Sequence, residues 1–205
     1  MRTPSARTVA RLLQAGVGAV LVAGVVTRNV SVVVNAVLGL AVTFLPALLR
    51  RDYRLHLSPG VSLWVALAVF LHTLGMAGPY HSVWWWDNLT HATSAALVAG
   101  VSYATVAALD EHRPNLDLPQ PFLVVFILLS TIAFGVLWEV LEFATRGAAH
   151  ALDLDPVLVQ YGVTDSLLDL VFDAVGAVVV AVFGARHLRR DVSALTAWLE
   201  FESGQ

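Results

Sequence analysis

The sequence predicts an all-α membrane protein, a polytopic bundle of six transmembrane helices followed by a C-terminal amphipathic helix. Of its 205 residues, 58% are hydrophobic and only 13% are charged, and the mean hydropathy is +0.74. A soluble domain of this size carries roughly twice that charged fraction. Several apolar runs also reach the ~18–20 residues that a helix needs to cross a bilayer. We therefore expect a multi-pass protein of the cell membrane, in contact with membrane lipids.

The six predicted spans form a single transmembrane domain, residues 1–185. The first follows a basic N-terminal segment and has no convincing small-residue cleavage site behind it, so we interpret it as an uncleaved helix and not a signal peptide. Pro46 lies near the end of the second span, where a helix tolerates proline best, and Pro121 suits the first turn of the fifth. The predicted spans are residues 9–26, 30–49, 61–77, 88–109, 121–143 and 163–185.

The segment after the last span, residues 186–205, is predicted to be a cytoplasmic amphipathic tail. Its apolar residues recur at near-heptad spacing: Leu188, Val192, Leu195 and Leu199. This spacing favours a short helix that lies on the membrane surface. A mobile tail is the alternative interpretation.

The arginines predict the orientation of the bundle. With six spans and the N-terminus inside, only Arg28 and Arg146 of the 12 basic residues fall on the outer side. The predicted cytoplasmic arginines are Arg2, Arg7, Arg11, Arg50, Arg51, Arg54, Arg113, Arg186, Arg189 and Arg190. Cytoplasmic segments of membrane proteins carry an excess of basic residues. Both termini are therefore predicted to be cytoplasmic.

The sixth span carries a ladder of three aspartates, Asp165, Asp169 and Asp173. Four-residue spacing stacks these side chains on one face of the helix. An ionised carboxylate is costly in hydrocarbon unless it is paired, hydrated or bound to a metal. At ~1.5 Å per residue, Asp173 lies roughly 15 Å deep, near the midplane of the membrane. Three acids at these depths indicate a partner or a function.

Polar residues of three other spans are predicted to lie in the same outer half of the membrane. The fifth span carries Glu139 and Glu142 on one face near its outer end. The fourth begins with Asp87 and His91, four residues apart, and the third carries His72 about two turns below its outer end. We infer one acidic, water-accessible cup that opens outward. Spans three to six form its walls, and the first two spans serve as apolar packing.

A structural interpretation is also open for several of these residues. Glu139 and Glu142 can simply pair with Arg146, one turn further out. A single membrane histidine such as His72 is more often hydrogen-bonded to a neighbouring helix than bound to a ligand. Trp138 is interpreted as an interface or packing residue. The aspartate ladder is harder to explain in this way, because one arginine cannot neutralise three acids.

Three segments follow one another along the chain: Trp86-Asp-Asn-Leu-Thr-His91, Trp138-Glu-Val-Leu-Glu142 and residues 160–176. Their order resembles the YjdF-type family of bacterial and archaeal inner-membrane proteins and, more distantly, the VanZ-like family. That family has an aspartate and a histidine at the start of one span, a glutamate pair on the next, and an aspartate series that closes with a small-residue helix. The resemblance covers about residues 60–185 and implies a site without implying an activity. The first two aspartates are four apart here, where the family pattern has three, which sets Asp165 apart.

Carboxylates with one or two imidazoles are ligands suited to Mg²⁺, Mn²⁺, Zn²⁺ or Fe²⁺. The predicted metal ligands are Asp87, His91, Glu142, Asp169 and Asp173. The predicted catalytic residues are Glu139, Glu142 and Asp173, and the secondary candidates are His72, Asp165 and Arg146, the last for a phosphate. This set favours a metal-dependent membrane hydrolase or transferase that acts on a lipid-type substrate at the outer leaflet.

Two other classes of function are compatible with the same residues. A cation- or proton-coupled transporter or channel subunit uses intramembrane acids, although the sequence offers no polar residues to line an inner exit. A structural or accessory protein would use them as a fixed network, in a homo-oligomer or with a membrane-protein partner. The absence of cysteine excludes thiolate ligands and disulfides. The sequence also has no Walker loop, dinucleotide-binding glycines or nucleophile elbow, and no basic surface for nucleic acid.

Overall fold

The computed structural model describes residues 5–158 and 161–203, and within these ranges the chain forms helices and no strand. The predicted all-α class is therefore confirmed. In chain order the helices are α1 (Ala6–Val26), α2 (Val30–Thr43), α3 (Leu45–Asp52), α4 (Pro59–Met76), α5 (Pro79–Ser82), α6 (Trp86–His112), α7 (Gln120–Ala151), α8 (Val163–His187) and α9 (Arg189–Ser203).

Six stretches of the described chain are long and apolar enough to cross a membrane, as the sequence predicts. They are α1, α2 with α3, α4, α6, α7 and α8. The second is broken at Phe44, between α2 and α3, where Pro46 occupies the first turn of α3. Proline cannot supply the backbone N–H that a continuous helix would need at this point.

The helix starts follow local sequence signals. The side chain of Asn29 accepts a hydrogen bond from the backbone N–H of Val32 and caps α2. Ser58 caps α4 in the same way, and Pro59 follows it at the first helical position. Such caps satisfy backbone donors that the helix itself leaves without partners.

Helix α7 continues to Ala151, eight residues beyond the predicted end of the fifth span. The connection between the predicted fifth and sixth spans is therefore helical over its first part. Alanines 148, 149 and 151 favour helix, and the helix ends where Asp153 adopts a left-handed backbone, with φ of 55°. As a result Arg146 lies on a rigid helix and not on a loop.

The helices pack in two groups, one of α1, α2 and α4 and the other of α6, α7 and α8, which meet between α4 and α6. The most extensive contact in the molecule joins α6 and α8. Gly176 allows it, because a Cβ at this position would lie 2.5 Å from the carbonyl oxygen of Ala92 and 2.8 Å from the backbone nitrogen of Ala96. Small residues at such crossings let two membrane helices approach closely.

The tail forms α9 and packs along α6. Val192 forms a buried cluster with Ala104 and Ala108, against which Leu195 and Leu199 also pack. The side chain of Asp191 accepts a hydrogen bond of 2.7 Å from the backbone N–H of Ser58, at the start of α4. The tail is therefore helical, and its apolar stripe packs against α6; its position on the membrane surface stays a prediction.

The arginines separate between the two ends of the bundle. Those predicted to be cytoplasmic lie at the end that carries α9, apart from Arg2, which is outside the described residues. Arg28 follows α1 and Arg146 lies in the last turns of α7, both at the opposite end. We call this opposite end, at which α6 and α8 begin, the outer end. Its exposure to the cell exterior stays a prediction from the arginine distribution.

Candidate functional site

The imidazole of His91 lies among three aspartates near the outer end of the bundle. Its Nδ1 is 3.2 Å from Oδ1 of Asp173. Its Nε2 is 3.8 Å from Oδ1 of Asp87 and 3.8 Å from Oδ1 of Asp169. Asp87 and His91 are one turn apart on α6, and the other two aspartates are one turn apart on α8. The contact between the two helices therefore assembles four of the predicted ligands into one group, which we call the His91 cluster.

Glycine on the third helix makes room for this group. A Cβ at Gly135 of α7 would collide with Oδ2 of Asp173 and would lie 3.1 Å from Cδ2 of Leu170. The carboxylate of Asp173 therefore packs directly against the backbone of α7. Asp173 is only 4% exposed and Asp169 only 2% exposed. The deepest acids of the site are thus enclosed by all three helices.

Helix α7 adds two buried glutamates, Glu139 and Glu142, which are 8% and 7% exposed. The indole N–H of Trp138 donates a hydrogen bond of 2.9 Å to Oε1 of Glu142. Both carboxylate oxygens of Glu139, and Oδ1 of Asp169, have no hydrogen-bond partner among the described residues. A buried polar atom without a partner is costly and rare in native structures. These oxygens therefore have the capacity to accept further hydrogen bonds or a cation.

The charges of the site are strongly unbalanced. Glu139 lies within electrostatic range of Asp87, Glu142 and Asp169. His91 supplies at most one positive charge within this group, whereas the acids are several. Like charges held this close require protons or a cation between them.

The donor atoms fit a single metal ion. Asp87, His91 and Asp169 each offer one ligand atom, and these three atoms lie within 4.8 Å of one another. One imidazole nitrogen with carboxylate oxygens is a donor set that suits Zn²⁺, Mn²⁺ or Fe²⁺ and, less well, Mg²⁺. Asp173 contacts the other ring nitrogen of His91, as carboxylates do in metal sites where they orient the ligating imidazole.

His72 of α4 lies beside this group and belongs to a separate hydrogen-bond network. Its Nε2 is 3.1 Å from Oδ1 of Asn35, and its Nδ1 is 2.9 Å from the hydroxyl of Tyr80. The Tyr80 hydroxyl contacts Oγ1 of Thr90 at 3.2 Å, and Thr90 donates to the backbone carbonyl of Asp87. Burial raises the pKa of Tyr80 above its ordinary value, which keeps this phenol protonated. The network thus links α2, α4 and α5 to the first turns of α6, where Asp87 lies.

Asp165 and Arg146 lie outside the His91 cluster. Asp165 is one turn further out on α8, is half-buried, and accepts a hydrogen bond of 3.2 Å from the backbone N–H of Tyr161. Arg146 lines a cavity at the outer end, together with Arg28 and Tyr161. The three candidates that the sequence ranks as secondary, these two and His72, are thus all peripheral to the cluster.

Two residues that sequence reasoning assigned to packing take part in the site. Trp138 binds Glu142, and its ring lies edge-on to that of His72, with centroids 5.7 Å apart. Asn35 joins His72 to the backbone carbonyl of Val157, to which it donates at 2.6 Å. The second span is therefore not only apolar packing. An amide in an otherwise apolar span was the available signal, since polar groups at this depth need partners.

A family model described as "Predicted membrane protein (DUF2238)" matches residues 9–190. An uncharacterised protein from Thermotoga maritima is 26% identical over 144 residues, which cover 67% of this chain and 68% of that protein. No solved structure matches the chain. Because the family model covers all six spans, the chain belongs to the DUF2238 family and is a multi-pass integral membrane protein. This agrees with the resemblance to the YjdF-type family.

Proposed function

We propose that this DUF2238 protein is a membrane-embedded, metal-dependent hydrolase or transferase that acts on a lipid-type substrate at the outer leaflet. The observation that carries the proposal is the group of three ligand atoms from Asp87, His91 and Asp169, all within 4.8 Å of one another. The buried oxygens of Glu139 and Asp169 that have no hydrogen-bond partner among the described residues support it, because a cation or a reacting group would satisfy them.

The geometry suggests a role for each residue. Asp87, Asp169 and Nε2 of His91 would hold the ion, and Asp173 would orient the imidazole through Nδ1, which makes it a positioning residue. When bound, a divalent cation supplies charge neutralisation and makes a coordinated water more acidic. Glu139 is then the candidate general base, because both of its oxygens are buried and available to accept a proton.

Glu142 differs from Glu139 in its surroundings. Its Oε1 accepts the indole N–H of Trp138, which fixes the orientation of the carboxylate. It would therefore serve as a further ligand or as an oriented acceptor for a substrate hydroxyl. We expect the two glutamates to have unequal roles even though they are three residues apart on one helix.

The apolar region below the His91 cluster favours an enzyme over a transporter. Below the His91 cluster, α6, α7 and α8 close on an apolar core formed by Ala96, Ala99, Ile127, Ala177 and Val180. Ala99 and Ala177 are completely buried. A transported ion would have to cross this packed region, whereas a substrate of the outer leaflet need not.

The first test is the metal content of the purified protein. We expect about one divalent ion per chain by elemental analysis, and its loss in Asp169→Asn. Asp165→Asn is the matched control, because it makes the same change on the same helix outside the cluster, and it should retain the ion. A ligand at about 100 times its dissociation constant stabilises a protein by about 2.7 kcal/mol, so EDTA should lower the Tm of the wild type and of the control. A wild type that binds none of the four candidate metals, with a Tm that ignores EDTA, would contradict the proposal.

The second measurement addresses the reaction. Mass spectrometry of lipids incubated with the metal-loaded protein in liposomes should show turnover by the wild type. Glu139→Gln should keep the metal and lose the turnover. Metal-dependent ion flux across the same liposomes without any lipid product would assign the site to transport and overturn the enzyme proposal.

A further inference from the structure

A second, chemically different cavity lies at the outer end of the bundle. It has a volume of about 560 Å³ and lies between the turn after α1, the outer ends of α4 and α7, and the connection from α7 to α8. Arg28 and Arg146 both line it, together with His81. These are the two arginines that the sequence places on the outer side, and they lie far apart in the sequence. The fold therefore brings both to one cavity.

The lining of this cavity combines cationic and apolar groups. Asp155 is the acidic residue among the described lining, which also includes two arginines and a histidine. None of the ion pairs among the described residues involves Arg28. Val30 and Met76 form part of the same wall. Guanidinium groups bind phosphate through paired hydrogen bonds, and the volume is within the usual range for a small-molecule site.

Tyr161 lines this cavity and is hydrogen-bonded to the segment between α4 and α6. Its hydroxyl donates a hydrogen bond of 2.9 Å to the backbone carbonyl of Tyr80 and lies 3.0 Å from Nδ1 of His81. Burial, and then the negative charges of Asp87, Asp165 and Glu142, raise the pKa of Tyr161 to about 12. A phenol that lines the cavity is thus within electrostatic range of the acids, which makes the two sites neighbours.

We propose that the outer cavity binds the phosphate group of a phosphorylated lipid through Arg28 and Arg146. The part of this inference that makes the lipid a substrate rests on the proposed function, because the bound lipid would supply the head group on which the metal site acts. The part that concerns binding of the phosphate depends only on the residues that line the cavity. The apolar wall and the position at the membrane surface favour a phosphate that is carried by a lipid over free phosphate.

The backbone at Arg28 provides a clean variant. Arg28 follows α1 with φ of 56°, a left-handed conformation that helix ends usually assign to glycine. Arg28→Gly should therefore fold at least as well as the wild type. Arg54 follows α3 with φ of 55° at the opposite end of the bundle, far from the cavity in the fold. Arg54→Gly makes the same change of charge and backbone and serves as the matched control.

The experiment measures binding to the full-length protein in detergent by native mass spectrometry and titration calorimetry. The probes are dihexanoyl phosphatidic acid, dihexanoylglycerol without phosphate, and inorganic phosphate. We expect the phosphorylated lipid to bind, the neutral lipid to bind at least tenfold more weakly, and Arg28→Gly and Arg146→Gln each to weaken binding at least tenfold. Arg54→Gly should bind like the wild type. Inorganic phosphate with the affinity of the lipid would assign the site to free phosphate and overturn the lipid assignment.

Two further results separate this proposal from the metal proposal. Asp169→Asn should retain binding of phosphatidic acid although it loses the metal, so failure of the metal site leaves the cavity testable. Equal binding of the neutral and phosphorylated lipids, or equal losses in Arg28→Gly and Arg54→Gly, would show that the arginines of the cavity do not recognise phosphate.

Discussion

The outer and inner parts of α6, α7 and α8 bury different kinds of side chain, although they belong to the same three helices. In the outer half, α6 and α8 contribute His91 and its three aspartates, and α7 contributes two glutamates. From their middle toward their inner ends, the same helices meet through Ala99, Ile127 and Ala177, which have almost no accessible surface. The outer part of these helices thus carries a polar site, and the region below it is a close-packed apolar core. The comparison teaches that a close-packed apolar core can fix the relative positions of α6, α7 and α8. The acids around His91 are thereby held close together although their charges repel.

Placing a charge in the apolar core of the three helices should cause the largest loss of stability. Ala99→Asp buries an unpaired carboxylate, which we expect to cost about 3 kcal/mol or more near the membrane centre. Ala99→Asn controls for the added volume, and Asn88→Asp makes a similar change of charge at the outer start of α6. Thermal unfolding in detergent should rank Ala99→Asp as the least stable of the three. Equal loss of stability in Asn88→Asp would mean that the two halves do not differ in their tolerance of charge.

Moving one acid within the outer half should have a smaller, local effect. Gly135→Ala places a methyl group where Oδ2 of Asp173 now lies, so the carboxylate must move, which disturbs its contact with Nδ1 of His91. Loss of a carboxylate that orients a ligating histidine typically lowers metal affinity by about 10–100-fold. Metal titration of the purified variant measures this change.

Gly18→Ala is the control for the added methyl group, because a Cβ at Gly18 meets no atom within 4 Å. It should bind metal like the wild type. Unchanged affinity in Gly135→Ala would remove Asp173 from its positioning role, even if the protein proves less stable.

The smallest expected effect is the influence of the buried acids on the pKa of Tyr161, which lines the outer cavity. The Tyr161 phenol, with its pKa raised to about 12, should ionise well above the ordinary value of 10. Because the unfolded chain releases this proton near pH 10 while the folded protein keeps it, the contribution of Tyr161 to stability is present below pH 10 and declines as the pH rises toward 12.

Ultraviolet titration measures this ionisation as the difference between wild type and Tyr161→Phe. Asp87→Asn removes one of the nearby negative charges and should lower the pKa of the phenol. A phenol that ionises near pH 10 in both backgrounds would show that the acidic half has no electrostatic influence on the outer cavity.

Much of this architecture could be predicted from local sequence. Hydropathy located the six spans, since the length of an apolar run and the thickness of a bilayer are both local quantities. Helical periodicity placed Asp87 with His91, and Asp169 with Asp173, on common faces. The extension of α7 to Ala151 was less predictable, because residues 144–151 do not continue the apolar run that hydropathy detects.

The sequence by itself determined the six spanning segments and which polar residues share a face of each of them. Only the tertiary structure decided that His91 meets Asp87, Asp169 and Asp173 while Asp165 and His72 lie outside this group, and that Asn35 and Trp138 support its surroundings. The physical reason is the rotation of each helix about its axis. Lipid is as apolar as the helix surfaces, so this rotation is set by close packing at residues such as Gly135 and Gly176 and not by an amphipathic pattern.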